Sequence, residues 1–106
     1  MRNLDEKQLL VELETKGAPL AVYFYTPLCG TCKAARRMLE VAEHLLPPGI
    51  VADADVNMMP QLVQDYKISS VPALLVVDSE REQQPTIRYD MVSVEELLKE
   101  IRRVVI

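Results

Sequence analysis

Apolar positions along this chain alternate between helical and extended spacing, and the changes of spacing mark out its elements. Over residues 3–16, Leu9, Leu10 and Leu13 fall on one side of a helical repeat; Asn3 with Glu6 offers an N-cap and its N3 partner, and Gly17 a stop. Leu20–Tyr25 (LAVYFY) is an unbroken apolar run rich in β-formers, the pattern of a strand covered on both faces. A second helix is predicted from residue 30 to about residue 46. Its Ala35, Met38, Leu39, Ala42, Leu45 and Leu46 recur on one stripe, whereas Lys33, Arg36, Arg37, Glu40 and Glu43 point elsewhere. Pro47-Pro48-Gly49 ends it. Residues 50–56 read as a second strand, although Asp53 and Asp55 interrupt it. Pro60 suits the first position of a short helix that reaches Tyr66 and buries Leu62 and Val63. Ala73–Val77 forms a third strand, entered through Val71-Pro72, and a polar turn leads to a fourth over residues 86–91. Ser93 and Glu96 make a capping box for a last helix whose Val94, Leu97, Leu98, Ile101 and Val105 share a face.

The order is therefore α-β-α-β-α-β-β-α. Strand–helix–strand units imply parallel pairing through right-handed crossovers, and the late hairpin adds antiparallel strands. The expected class is α/β: a small mixed sheet of about four strands, flanked by helices on both faces. No repeat or linker divides it, and its 106 residues suit one domain spanning 1–106.

Composition narrows the partners. Hydrophobic residues make up 49% of the chain and charged ones 26%, enough to fill a core and leave a polar surface. Twelve Lys and Arg against sixteen Asp and Glu give a net charge of −4. That balance lacks the positive field that phosphate backbones require, so nucleic acid is not expected as a partner. The apolar runs are too short to cross a bilayer, and no apolar segment follows the first residues as in an export signal. The expectation is a small acidic monomer of cytoplasmic type with no membrane partner.

Only two cysteines are present, Cys29 and Cys32, and His44 is the sole histidine. A four-ligand zinc site within one chain would need His44 and a carboxylate besides both thiolates, so no metal is expected. The spacing carries the chemistry instead. Thr26-Pro27-Leu28-Cys29-Gly30-Thr31-Cys32-Lys33 lies where a strand gives way to a helix. Unsatisfied backbone N–H groups and the helix dipole favour a thiolate at Cys29 there, and Lys33 adds positive charge. Cys32 lies one turn deeper and within reach, Gly30 leaves the approach open, and a Cys-x-x-Cys beside a βαβ pattern is a redox signature. Cys29 is thus the candidate nucleophile and Cys32 the resolving thiol. Inert packing of both cysteines, or a metal site shared across a dimer, are the competing readings.

These residues resemble the thioredoxin family. LAVYFYTPLCGTCKAARRML is similar to its strand, active site and helix, and Val56-Asn57-Met58-Met59-Pro60 to its next strand end and short helix. The block from Tyr66 through Val71-Pro72 to Val76 resembles the family's segment around its cis proline. The likeness covers roughly residues 18–105, and no segment is read as the N-terminal strand that many members carry, hence the four strands expected. The resemblance implies a cis Val71–Pro72 bond facing the dithiol. Val71 would then offer its backbone to a substrate strand, and Pro72 would help keep metal from the sulfurs. Substrate contact is implied at Leu28, Gly30, Thr31, Val71 and Pro72.

Three positions depart from the family pattern. Leu28 stands where thioredoxins usually carry Trp, and Thr31 where the reductants carry Pro. Tyr23 occupies the place of a buried Asp that accepts the proton of the second cysteine, and a tyrosine cannot do so at neutral pH. Asp53, on the adjacent strand, is the candidate replacement acceptor; the rival reading is a carboxylate solvated at a sheet edge. Asp90 falls near the site rim, and the Arg36-Arg37 pair lies where the family helix is often kinked by Pro, so a straighter helix is expected.

The resemblance implies a thiol–disulfide oxidoreductase of the disulfide-reductase type, acting on disulfide-containing proteins. It would be re-reduced by a reductase or a low-molecular-weight thiol and need no bound cofactor. The alternative is a binding or redox-sensing module on the same fold without general reductase activity.

Overall fold

The computed structural model describes residues 1–105; Ile106, the end of the expected domain span, lies outside the described residues. The elements in chain order are β1 (Arg2–Asn3), α1 (Glu6–Glu14), β2 (Leu20–Tyr25), α2 (Gly30–Glu43), β3 (Val51–Asp55), a 3-10 turn (Val56–Met58), α3 (Pro60–Tyr66), β4 (Ala73–Val77), β5 (Thr86–Arg88) and α4 (Val94–Val105). The strands form one mixed sheet in the order β1-β3-β2-β4-β5. β1 and β2 both run parallel to β3, while β4 lies antiparallel to β2 and to β5.

The all-apolar β2 takes the centre of this sheet because both of its faces are covered. Val22 and Phe24 face a core completed by Leu9 and Leu13 of α1 and Leu62 of α3. Ala21 and Tyr23 face the other, completed by Cys32, Ala35 and Leu39 of α2 and by Leu97 and Ile101 of α4. Alternate residues of one strand thus feed two separate cores.

Three expectations are corrected here. The sheet has five strands and not four, because Arg2–Asn3 adds a short parallel edge beside Ala52 and Asp53. Drawing Asn3 into the sheet also moves the first helix start: Asp5 is the N-cap, and Asp5 and Gln8 exchange the two capping hydrogen bonds. Two residues carry no readable period; β1 is tied to the fold by its pairing with β3 and by the two-pronged bond of Arg2 to Glu12 at 2.7 Å. The second helix also ends earlier than its pattern, at Glu43, which leaves Leu45 exposed. Ser93 caps α4 by accepting from the Glu96 N–H at 3.1 Å.

Candidate active site

β2 ends at Tyr25, and the chain turns through Thr26, Pro27 and Leu28 into α2. Cys29 occupies the N-cap of that helix: its backbone is extended and its sulfur accepts from the Cys32 N–H at 3.1 Å. A sulfur at this position does what a Ser or Asp oxygen does elsewhere, satisfying one of the first-turn N–H groups. The same groups stabilise a thiolate once the cysteine is reduced, because the helix dipole is positive at this end. The Thr31 hydroxyl lies 3.4 Å from the Cys29 sulfur.

Cys29 and Cys32 are joined as a disulfide, with their Cα atoms 5.2 Å apart. Their exposures differ: Cys29 is half-buried, whereas Cys32 is buried among the α2-side core residues. An incoming disulfide therefore meets Cys29 first. Around it the approach is open. Leu28 is 97% exposed, and a Cβ added at Gly30 would meet nothing within 4 Å.

The Val71–Pro72 peptide bond is cis. Pro72 leads directly into Ala73, which pairs with Phe24, so this loop reaches the sheet at the end of β2 that gives rise to the dithiol. Val71 is half-buried and packs against the same core as Cys29 and Cys32. Asp90 is on the outside, its carboxylate 3.1 Å from Arg88, which also reaches Glu96 at 3.3 Å.

Tyr23 and Asp53 are paired in register across β2 and β3. The fully buried Tyr23 sends its hydroxyl to the backbone carbonyl of Cys32, donating to it from the sheet below. Burial pushes its phenol up to about 12, the nearby Arg36 charge offsetting part of that rise. Asp53 is neither solvated at an edge nor bonded to either cysteine among the described residues. It is 8% exposed, lies between β1 and β2 in the sheet, and accepts from the Arg36 guanidinium at 3.1 Å.

Arg36 lies off the buried stripe of α2, as expected, but its partners make it a site residue that the sequence did not single out. It is half-buried, one turn beyond Cys32, with its guanidinium 5.3 Å from the Tyr23 ring centre and 4.8 Å from that of Tyr25. The two rings stack, their centres 5.7 Å apart. A signal for this was present. Cys32, Ala35, Leu39 and Ala42 are the buried positions of α2, and residue 36 falls on the edge of that stripe, where a cation needs partners. Glu43, likewise off that stripe, is half-buried and pairs with the chain's amino group at 3.2 Å.

No group of three or more His, Cys, Asp or Glu side chains among the described residues is arranged to hold a metal ion. No described helix is long and apolar enough to cross a membrane.

The thioredoxin family model matches residues 2–103 of this chain. Among curated proteins, the thioredoxin-like protein YusE of Bacillus subtilis (strain 168) is 42% identical over 55 residues, 52% of each chain. A thioredoxin of Chlamydia trachomatis serovar D is 29% identical over 59 residues, 56% of this chain and 58% of its own length. The matched segment thus spans about half the length of these curated relatives. Among solved structures, a chloroplastic thioredoxin z superposes with a TM-score of 0.82 at 19% identity, over 98% of this chain and 93% of the other. At that identity the likeness speaks for the fold.

Proposed function

The chain belongs to the thioredoxin family, and we propose that it reduces protein disulfides by dithiol–disulfide exchange through Cys29 and Cys32. One observation carries this reading: a half-buried sulfur at a helix N-cap, disulfide-bonded to a buried sulfur one turn deeper.

In the reduced protein the Cys29 thiolate attacks one sulfur of a substrate disulfide. A bond forms between Cys29 and that sulfur, and the other substrate sulfur leaves as a thiolate and takes a proton. Cys32, deprotonated in turn, attacks Cys29; the mixed disulfide breaks and releases the second substrate thiol. Two electrons pass to the substrate, and the Cys29–Cys32 disulfide is the oxidised product. A reductase or a low-molecular-weight thiol returns the electrons.

Substrate contacts are assigned to Leu28, Gly30, Thr31, Val71 and Pro72. The exposed Leu28 side chain offers apolar area beside the nucleophile, and the backbone of Val71 is suited to hold an extended segment as an added strand. The protein is proposed to act as a monomer in the cytoplasm, where a reducing poise drives this direction of exchange.

The test is reduction of insulin with dithiothreitol as electron source and Cys29→Ser as control. Catalysis that depends on Cys29 is expected. A rate no higher than that of Cys29→Ser would replace the reductase reading with that of a binding module.

A further inference from the structure

Resting on the reductase reading above, we propose that Tyr23 and Arg36 are positioning residues of the resolving step. The Tyr23 hydroxyl fixes the Cys32 turn of α2 against the sheet, Arg36 fixes the Tyr23 ring and is itself anchored by Asp53, and the Cys32 proton leaves to water and not to a carboxylate.

Cys32 lies on the buried side of α2. From β2, the group bonded to its turn is the Tyr23 hydroxyl, which donates to its carbonyl. A phenol held protonated, as the buried Tyr23 is at neutral pH, gives a hydrogen bond and takes no proton. Its contribution is geometric: it ties the peptide carrying the resolving sulfur to the centre of the sheet.

One turn on, Arg36 closes the arrangement from above. Its guanidinium covers the rings of Tyr23 and Tyr25 and reaches Asp53. Such a cation is stabilised by the ring faces and the carboxylate together. Asp53, the one buried charged residue among those described, is thereby committed to Arg36. β4 and α4 present apolar side chains to this core: Leu74, Val76, Leu97 and Ile101, with Val104 and Val105 packed against them. The ionisable groups gathered behind the Cys32 turn are Tyr23, Tyr25, Arg36 and Asp53, with the amino group of Met1, whose side chain touches Arg36, paired to Glu43; Tyr23 is protonated and Asp53 is held by Arg36.

The step balances without an internal acceptor. The Cys32 thiol gives its proton to water, and its electron pair forms the bond to the Cys29 sulfur. The bond from Cys29 to the substrate sulfur breaks, and that sulfur leaves with the pair and takes a proton from water.

A disulfide of two fluorescently labelled glutathiones separates the steps, because one thiol is released on attack by Cys29 and the second on attack by Cys32. Stopped-flow release is followed across pH in the full chain. In Tyr23→Phe the second release should slow about tenfold, the effect of one lost hydrogen bond, with the first release unchanged. Arg36→Gln should also slow the second release selectively, and it carries the comparison if Tyr23→Phe does not fold. Asp53→Asn, which keeps an acceptor for Arg36, should leave the pH midpoint of the second release in place. Equal slowing of both releases, or of neither, would reduce Tyr23 and Arg36 to ordinary packing and overturn the proposal. So would an Asp53→Asn variant whose second release loses its pH dependence and falls by about a hundredfold or more, the mark of a lost general base. A wild-type protein that releases neither thiol would instead overturn the reductase reading on which this rests.

Discussion

Tyrosine 23 shows how one side chain in the middle of a strand sets the character of the site. Its ring fills the space between β2 and α2, and its hydroxyl has one partner, the carbonyl of Cys32. Burial raises its ionisation from 10.0 to about 12, so the folded chain retains a proton there that the unfolded chain has already released. The sign follows from linkage: where the folded state binds more protons, stability falls as pH rises. The Tyr23 contribution is thus complete below about pH 10 and is lost between there and about pH 12. Tyr25 and Tyr66 are shifted the same way, chiefly by burial, and add to the loss. Chemical denaturation repeated from pH 9 to 12 should show a decline that is shallower in Tyr23→Phe by about one proton. An identical slope in the variant would show that Tyr23 ionises equally in both states. The Cys29–Cys32 pair was legible because spacing alone places two sulfurs one helical turn apart. Arg36 was legible only as a cation at the edge of an apolar stripe; the rings and the carboxylate that receive it come together only in the fold.

At the scale of elements, the helices end on residues contributed by distant parts of the chain. α3 begins at Pro60 and its N-cap, Met59, has no side-chain bond to offer. Glu6, the first residue of α1, takes that part: its carboxylate accepts from the N–H groups of Gln61 at 2.8 Å and Leu62 at 3.1 Å. A negative charge there also meets the positive end of the α3 dipole. Glu6→Ala should cost about 1 kcal/mol in urea unfolding, and Glu6→Gln, which keeps an acceptor, less. Equal costs would mean that the cap contributes nothing beyond packing. The end of α1 is closed similarly by Arg81, which donates to the carbonyls of Leu13 at 3.0 Å and Glu12 at 2.9 Å. Arg81→Ala leaves both carbonyls without that partner and is expected to destabilise by about 1–2 kcal/mol; a neutral result would assign those carbonyls to solvent. The helix interiors were readable from their period. The first helix start was misplaced by two residues, because Asn3 suits a cap locally but is held by the pairing of β1 with β3.

Across the whole molecule, the sheet is a partition. Leu9 belongs to the core beneath α1 and α3, and Leu39 to the core beneath α2 and α4; both are fully buried. Each Leu→Ala change should cost about 2–5 kcal/mol, and the double variant should cost their sum to within about 0.5 kcal/mol, because the two sites lie in different cores on opposite faces of the sheet. A larger deviation would show that the sheet transmits strain between its faces. The class of fold, the central strand, the helix interiors and the dithiol at the head of the second helix were all legible along the chain. These follow from local period and spacing, which act over a few residues. Tertiary structure alone decided the fifth strand, the caps supplied by Glu6 and Arg81, and the column of Tyr23, Tyr25, Arg36 and Asp53 behind the resolving sulfur. Those depend on groups far apart in the chain meeting at one place, and a hydrogen bond or an ion pair acts on distance in space, which linear spacing does not record.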